Sequence, residues 1–280
     1  MLGRSLLMKS SGSLLLYPGY VQHHLDQVTA KDVEGGISQG LERGVTDAFS
    51  TVLQDLVADT SLGISGGVIA QAASKIKAMP FMCGARTLLG CLVPVVGPAP
   101  TRFGTEGGWN YNRKTGLAGN GTDNYLNSNR ANNADPQNNV HTSVYVSTAR
   151  TSSCVYMGCD PGERNTIYAL DGNNIGFSLR QLGINYSAAS LSTTGFIGQS
   201  RSNSANFVGR VANASNTFFA SSTTPSSTGT FLVFARFEGG VVKNHSNGRI
   251  SSYSIGESLD LAILNARITA LMNDLASAIP

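Results

Sequence analysis

Charge is the scarcest ingredient of this 280-residue chain: Asp, Glu, Lys and Arg make up 13% of it, about half the globular average. The balance is a net +3. The arginines from Arg102 to Arg249 are scattered, not gathered on one helix or stripe, so nucleic acid is not an expected partner. Long hydrophobic runs are missing too. None approaches the roughly 18 residues of a spanning helix, and no membrane insertion is expected. Residues 1–20 hold one short apolar run, Leu14–Tyr17, but no charged leader, long apolar core or small-residue cleavage site. The chain reads as soluble and unprocessed. Cysteine is confined to Cys83, Cys91, Cys154 and Cys159. None forms a Cys-x-x-Cys pair, and the four histidines lack zinc-ligand spacing, so the cysteines are expected as small buried side chains.

What is plentiful is Ser, Thr, Asn and Gly. Small hydroxyl and amide side chains make local turn bonds, and apolar residues recur between them, so the composition fits many short strands joined by turns. Strand candidates from Gly84 onward are Thr87–Val96, Tyr111–Leu117, Val140–Ser147, Cys154–Met157, Thr166–Ala169, Ile175–Leu179, Gly195–Ile197, Asn206–Val211, Thr217–Ala220, Gly229–Phe237 and Arg249–Tyr253. Turn signals separate them, among them Gly119-Asn120-Gly121, Asp160-Pro161-Gly162, Asp171-Gly172-Asn173 and Ser246-Asn247-Gly248. The expected class is mainly β, a jelly-roll sandwich.

Helices flank this region. Thr29 and Asp32 mark a start, and Val33, Ile37, Leu41, Val45, Phe49, Val52, Leu53, Leu56 and Val57 then fall on one face of a single long helix. Gly36, Gly40, Gly44 and Ala48 run beside it, and small residues every fourth position let another backbone come close. Two readings stand: a helix resting on the β domain, or one packed on its copies. Residues 60–83 read as a connector. The apolar arm before the helix needs a cover, its own chain or another. At the far end Ser254-Ile255-Gly256-Glu257 has the form of a capping box for a C-terminal helix reaching Ile279.

Catalytic patterns are absent. Glycoside hydrolysis needs two carboxyl groups flanking the bond, and no Glu-x-Asp-x-x-Glu strand occurs. The acids of the β region, Glu106, Asp123, Asp135, Asp160, Glu163, Asp171 and Glu238, fall in or beside turns. Only acids distant in sequence could converge. There is no Gly-x-Ser-x-Gly elbow and no glycine-rich phosphate loop before a helix. His141 alternates with apolar strand residues and is expected on the polar side, hydrogen-bonded or at the surface. A binding surface has more support. Residues 119–139 concentrate amides with carboxylates and aromatics, the groups that sugar hydroxyls and ring faces require. The candidates are Tyr111, Asn120, Asp123, Tyr125, Asn127, Asn129, Arg130 and Asp135. The same composition fits a long polar loop. No cofactor or metal is indicated beyond a weak Ca²⁺ option at Asp123 and Asp135, whose spacing is not diagnostic.

Several phrases resemble a family of tailed-bacteriophage virion proteins with a concanavalin-A-like lectin/glucanase jelly roll. They are Gly84–Gly90 running on to Val95–Thr101, Tyr111–Leu117 with Gly119-Asn120-Gly121, Tyr125–Arg130 with Asn133–Pro136, and the closing Tyr253–Leu261. The resemblance spans 84–280 and carries no catalytic residues. It implies a lectin-like sandwich ending in a helix, and a virion structural protein of a tail fibre, tail tip or capsid appendage. Residues 1–83 would then form an arm and helix for attachment to other virion proteins and oligomerisation, a homotrimer by analogy. Val33, Ile37, Gly40, Leu41, Gly44, Val45 and Phe49 are the candidate interface. The expected partner of the β domain is a host surface glycan. The alternatives are a capsid decoration protein that binds other virion proteins, and a glycan hydrolase with a non-local acid pair.

Overall fold

The structure is a computed structural model and describes residues 17–62, 75–159, 164–170, 174–181, 184–186, 193–220 and 228–280. Most of the expected arm, and the turns at Asp160–Gly162 and Asp171–Asn173, lie outside these residues. Two antiparallel sheets dominate. The first runs in the order β14 (Ala214–Phe219), β13 (Asn206–Val211), β12 (Gly195–Arg201), β7 (Val140–Thr148), β18 (Arg249–Gly256), β1 (Ile76–Pro80), β2 (Pro94–Val96). The short hairpin β4 (Asn110–Asn112) and β5 (Gly116–Ala118) adds to β18. The second runs β11 (Asn185–Tyr186), β10 (Asn174–Gln181), β9 (Arg164–Leu170), β8 (Cys154–Cys159), β15 (Thr230–Val233), β6 (Tyr125–Ala131), β3 (Thr101–Phe103). A separate hairpin joins β16 (Arg236–Glu238) to β17 (Val241–Lys243).

Alternation places the core between the sheets. Val140, Val144 and Val146 of β7 meet Ile167 and Ala169 of β9, Phe177 and Leu179 of β10 and Phe231 and Val233 of β15 in one cluster. Both faces of β7 and β18 are buried, because a helical layer covers the other side. That layer holds α1 (Gly19–Glu34), α2 (Arg43–Ala58) and α4 (Leu261–Ala278). Leu25, Phe49, Leu53, Leu264, Ile268 and Leu275 pack there with Ile76, Met79 and Phe196 of the sheet. The arrangement is therefore a lectin-like β-sandwich with a third layer of helices on one face, and the mainly-β expectation holds.

The helical expectations need correction. The single helix over Val33–Val57 is two helices. Its period continues through Ile37 and Leu41, but Gly36 takes φ +90°, a left-handed stop. The interface residues divide accordingly. Val45 and Phe49 are buried in this chain's own core, and Gly44 faces Ala278 of α4, where an added Cβ would come within 2.8 Å. Leu41 is half-buried against both clusters. Gly40 and the side chains of Val33 and Ile37 stay exposed, at 53% and 37% for the last two. The expected connector over 60–83 contains β1, which pairs with β18 and β2. Packing thus continues across the expected 83/84 boundary. The apolar run Thr87–Val96 is mostly not strand: Leu88–Cys91 forms a short helix, α3, capped by the Thr87 side chain. The capping box at Ser254 is strand, and α4 begins at Leu261 under Asp260. All four cysteines are buried, as small apolar side chains are expected to be.

Candidate functional site

β6 shows why an asparagine-rich segment is a strand and not a loop. Leu126 and Ser128 point inward and are buried, while Tyr125, Asn127 and Asn129 alternate outward. The outer neighbour is the edge strand β3, in register Phe103↔Tyr125 and Thr101↔Asn127. The two rings of that cross-strand pair stack with centroids 4.9 Å apart and planes 4° from parallel. The His245 ring is tilted towards Tyr125, with centroids 6.1 Å apart. Phe103 is 41% exposed. It ends the row at the free edge of the sheet.

Part of this outer face is covered. Arg236 lies over Gly158, where an added Cβ would meet its Cβ at 2.9 Å. Its guanidinium stacks on Tyr168 at 4.9 Å and donates to the Tyr168 hydroxyl, to Glu238 and to Asn244 Oδ1. The hairpin β16–β17 thereby covers the middle strands and leaves the β3–β6 edge open.

A turn rich in polar side chains borders the aromatic row. Gly104, at φ +96°, lets the Asp123 main chain come so close that a Cβ would stand 2.4 Å from its carbonyl oxygen. Asp123 Oδ2 accepts from the Thr105 amide at 3.0 Å and the Thr105 hydroxyl at 2.7 Å, and Oδ1 accepts from Asn120 Nδ2 at 2.5 Å. These bonds, Asn120 first, hold the exposed Asp123 carboxyl below the usual carboxylate range. Asn120 Oδ1 accepts from the amides of Thr122, Asp123 and Asn124 and so builds the turn. Burial lowers the His245 imidazole, with Asp123 acting against it, and raises the Tyr125 phenol.

The candidate residues therefore separate. Asp123, Tyr125 and Asn127 come together, with Asn120 and Asn129 at the margin. Asn127 Oδ1 accepts from the Asn129 amide at 2.8 Å, and Asn129 Nδ2 donates to the Ala99 carbonyl and the Thr101 hydroxyl. The other three are structural. The Tyr111 hydroxyl donates inward to the Ala85 carbonyl at 2.7 Å. Arg130 forks onto Asp135, which is buried. Asp123 and Asp135 thus serve different protein donors and share no site for Ca²⁺. Among the described residues no three His, Cys, Asp or Glu side chains gather to hold a metal. Phe103 and His245 were not among the candidates. Phe103 has a sequence signal, the alternating Thr101-Arg102-Phe103 after Pro98 and Pro100. His245 has none, since it enters through the segment that follows the covering hairpin.

The acids carry protein partners as well. Glu106 pairs with Arg102, Glu238 with Arg236 and Glu257 with Lys77. Asp160, Glu163 and Asp171 lie outside the described residues. His141 is buried, not on a polar surface: it is hydrogen-bonded to the Glu257 carbonyl and to Ser254. A groove of about 880 Å³ lies between α1 and residues 89–106, lined by His23, Gln27, Leu92, Val93, Arg102 and Glu106 among others. It runs on the other side of β3 from the aromatic row. No helix among the described residues is long and apolar enough to cross a membrane.

No family model matches the chain, and no curated protein matches it. Solved structures do. The NanB sialidase of Streptococcus pneumoniae is similar over 43% of this chain and 22% of its own, at 16% identity and a TM-score of 0.37. A mutant Trypanosoma rangeli sialidase displaying trans-sialidase activity is similar over 81% of this chain and 39% of its own, at 8% identity and a TM-score of 0.47. Domain 4 of AbnA, an extracellular arabinanase of Geobacillus stearothermophilus seen with arabinotriose, is similar over 69% of this chain and 98% of its own, at 13% identity and a TM-score of 0.39. The chain spans less than half the length of either sialidase. No residue role is carried over from these structures.

Proposed function

We propose that the chain is a non-enzymatic virion structural protein, part of a phage tail fibre or tail tip, whose lectin-like sandwich contacts a host surface glycan. The virion assignment rests on the sequence resemblance over 84–280. The glycan contact rests on one observation, the stacked Phe103–Tyr125 pair left open at the sheet edge beside Asn127 and Asp123. An aromatic face takes the apolar face of a sugar ring, and convergent polar groups take its hydroxyls. Attachment to other virion proteins, and a trimer, are proposed through the exposed Val33, Ile37 and Gly40 at the α1–α2 turn. Immunolabelling of particles tests the location: label on the tail supports the fibre or tip, and label over the capsid surface supports the decoration reading instead. A full-length protein that is monodisperse and monomeric by light scattering removes the trimer.

A further inference from the structure

Given that reading of the platform as a glycan site, we infer that Phe103 and Tyr125 receive an uncharged sugar and that Asp123 excludes acidic ones. Three donors, from Thr105 and Asn120, fix the Asp123 carboxylate at the end of the ring row. An ionised carboxylate has about four acceptor sites, so one remains for a hydroxyl donor from solvent. A neutral sugar supplies such a donor. The carboxylate of a sialic or uronic acid cannot donate, and it meets a like charge.

Among the described residues the nearby cations are engaged away from the rings. Arg102 follows Thr101 in β3, but strand alternation turns it to the opposite face, where it pairs with Glu106 at 2.7 Å. Arg236 is held by Glu238, Asn244 and the Tyr168 ring. Lys243 stands two residues before His245 at an exposed position. The Asp123 carboxylate acts on the His245 imidazole against the effect of burial. The flanking groups, Asn127, Asn129 and Thr101, are uncharged hydrogen-bonding side chains. Like charges a few ångströms apart at a protein surface differ from a neutral pair by about tenfold or more in binding.

The test is calorimetric titration of the full chain with uncharged hexose and N-acetylhexosamine oligosaccharides, and with the same oligosaccharides ending in sialic or uronic acid. The partners are wild type, Phe103→Ala and Thr101→Lys, each checked for native circular dichroism. Phe103 is an edge residue whose loss leaves both cores intact. The expected result is binding of an uncharged oligosaccharide, about tenfold weaker binding of its acidic counterpart, loss of both in Phe103→Ala, and gain of the acidic ligand in Thr101→Lys. Preference for the acidic form that is still lost in Phe103→Ala overturns the inference and keeps the site. Binding indifferent to Phe103→Ala overturns the site. Binding of neither panel removes the glycan reading and this inference with it.

Discussion

Two buried histidines stay neutral for different local reasons. His141 is fully buried; its Nδ1 donates to the Glu257 carbonyl at 2.6 Å, because a carbonyl can only accept. That fixes Nε2 as the acceptor of the Ser254 hydroxyl at 2.9 Å, and Ser254 in turn accepts from Ser143 at 2.7 Å. His24 of α1 makes no hydrogen bond of full geometry among the described residues, and the Pro94 carbonyl acts on its ring against the effect of burial. Its ring stands edge-on to Phe49 at 5.7 Å and to Phe81 at 6.4 Å. Burial pushes both from 6.5 down to about 4. The unfolded chain therefore takes up two protons near pH 6.5 that the folded chain refuses until about pH 4. Stability is complete above that window and falls as the pH drops through it, by about 2–3 kcal/mol per histidine. Glu42 overlaps only the acid end of this window: hydrogen bonding from Arg113 lowers it from 4.5 to about 2, so its contribution is lost progressively below about pH 5. The urea midpoint should fall between pH 7 and pH 4.5, and His24→Leu should make that fall shallower, with His141 and the less shifted His245 supplying the remainder. An unchanged slope in the variant would show that His24 does not titrate on unfolding.

At the scale of elements, the start of α4 shows what local patterns can and cannot say. Ser254-x-x-Glu257 has the form of a cap, but β18 is paired on both edges, by β7 and by β1, through Gly256. Ser254 is thus held in the sheet. Asp260 Oδ1 accepts from the Ala262 amide at 2.7 Å and caps the helix instead. Asp260→Ala should cost about 1 kcal/mol in urea unfolding. A silent Asp260→Ala would return the cap to the Ser254 motif. The same logic explains which parts of the fold were legible. Val140–Thr148, Asn206–Val211 and Asn174–Gln181 carry clear two-residue alternation, and they stand close to where the sequence puts them. Thr87–Val96 is uniformly apolar, which does not separate helix from strand, and Thr87 decides it by capping α3. In the site, Asp123, Tyr125 and Asn127 were legible as one polar and aromatic segment. Phe103 joins them only through strand pairing, and His245 through the segment that follows the β16–β17 hairpin, and neither is a local property.

At the scale of the whole molecule, the resemblance beginning at Gly84 implies a self-contained domain, and the packing argues otherwise. β1 lies before that residue and pairs with both β18 and β2. The buried face of α4, with Leu264, Ile268, Leu271 and Leu275, meets Val45, Phe49, Leu53 and Leu56 of α2. Arg267 of α4 also bridges to Asp55 at 2.9 Å. Cutting at 83/84 would expose four large α4 side chains worth about 2 kcal/mol each, a sum close to the whole stability of a typical domain. A fragment 84–280 should therefore give poorly dispersed amide resonances and associate, unlike the full chain. If 84–280 instead matched the full chain in urea midpoint, the helical layer would be a detachable anchor and the sandwich would stand alone. The expected outcome makes α1 and α2 structural parts of the domain. It narrows the proposed attachment surface to the exposed turn at Val33 and Ile37.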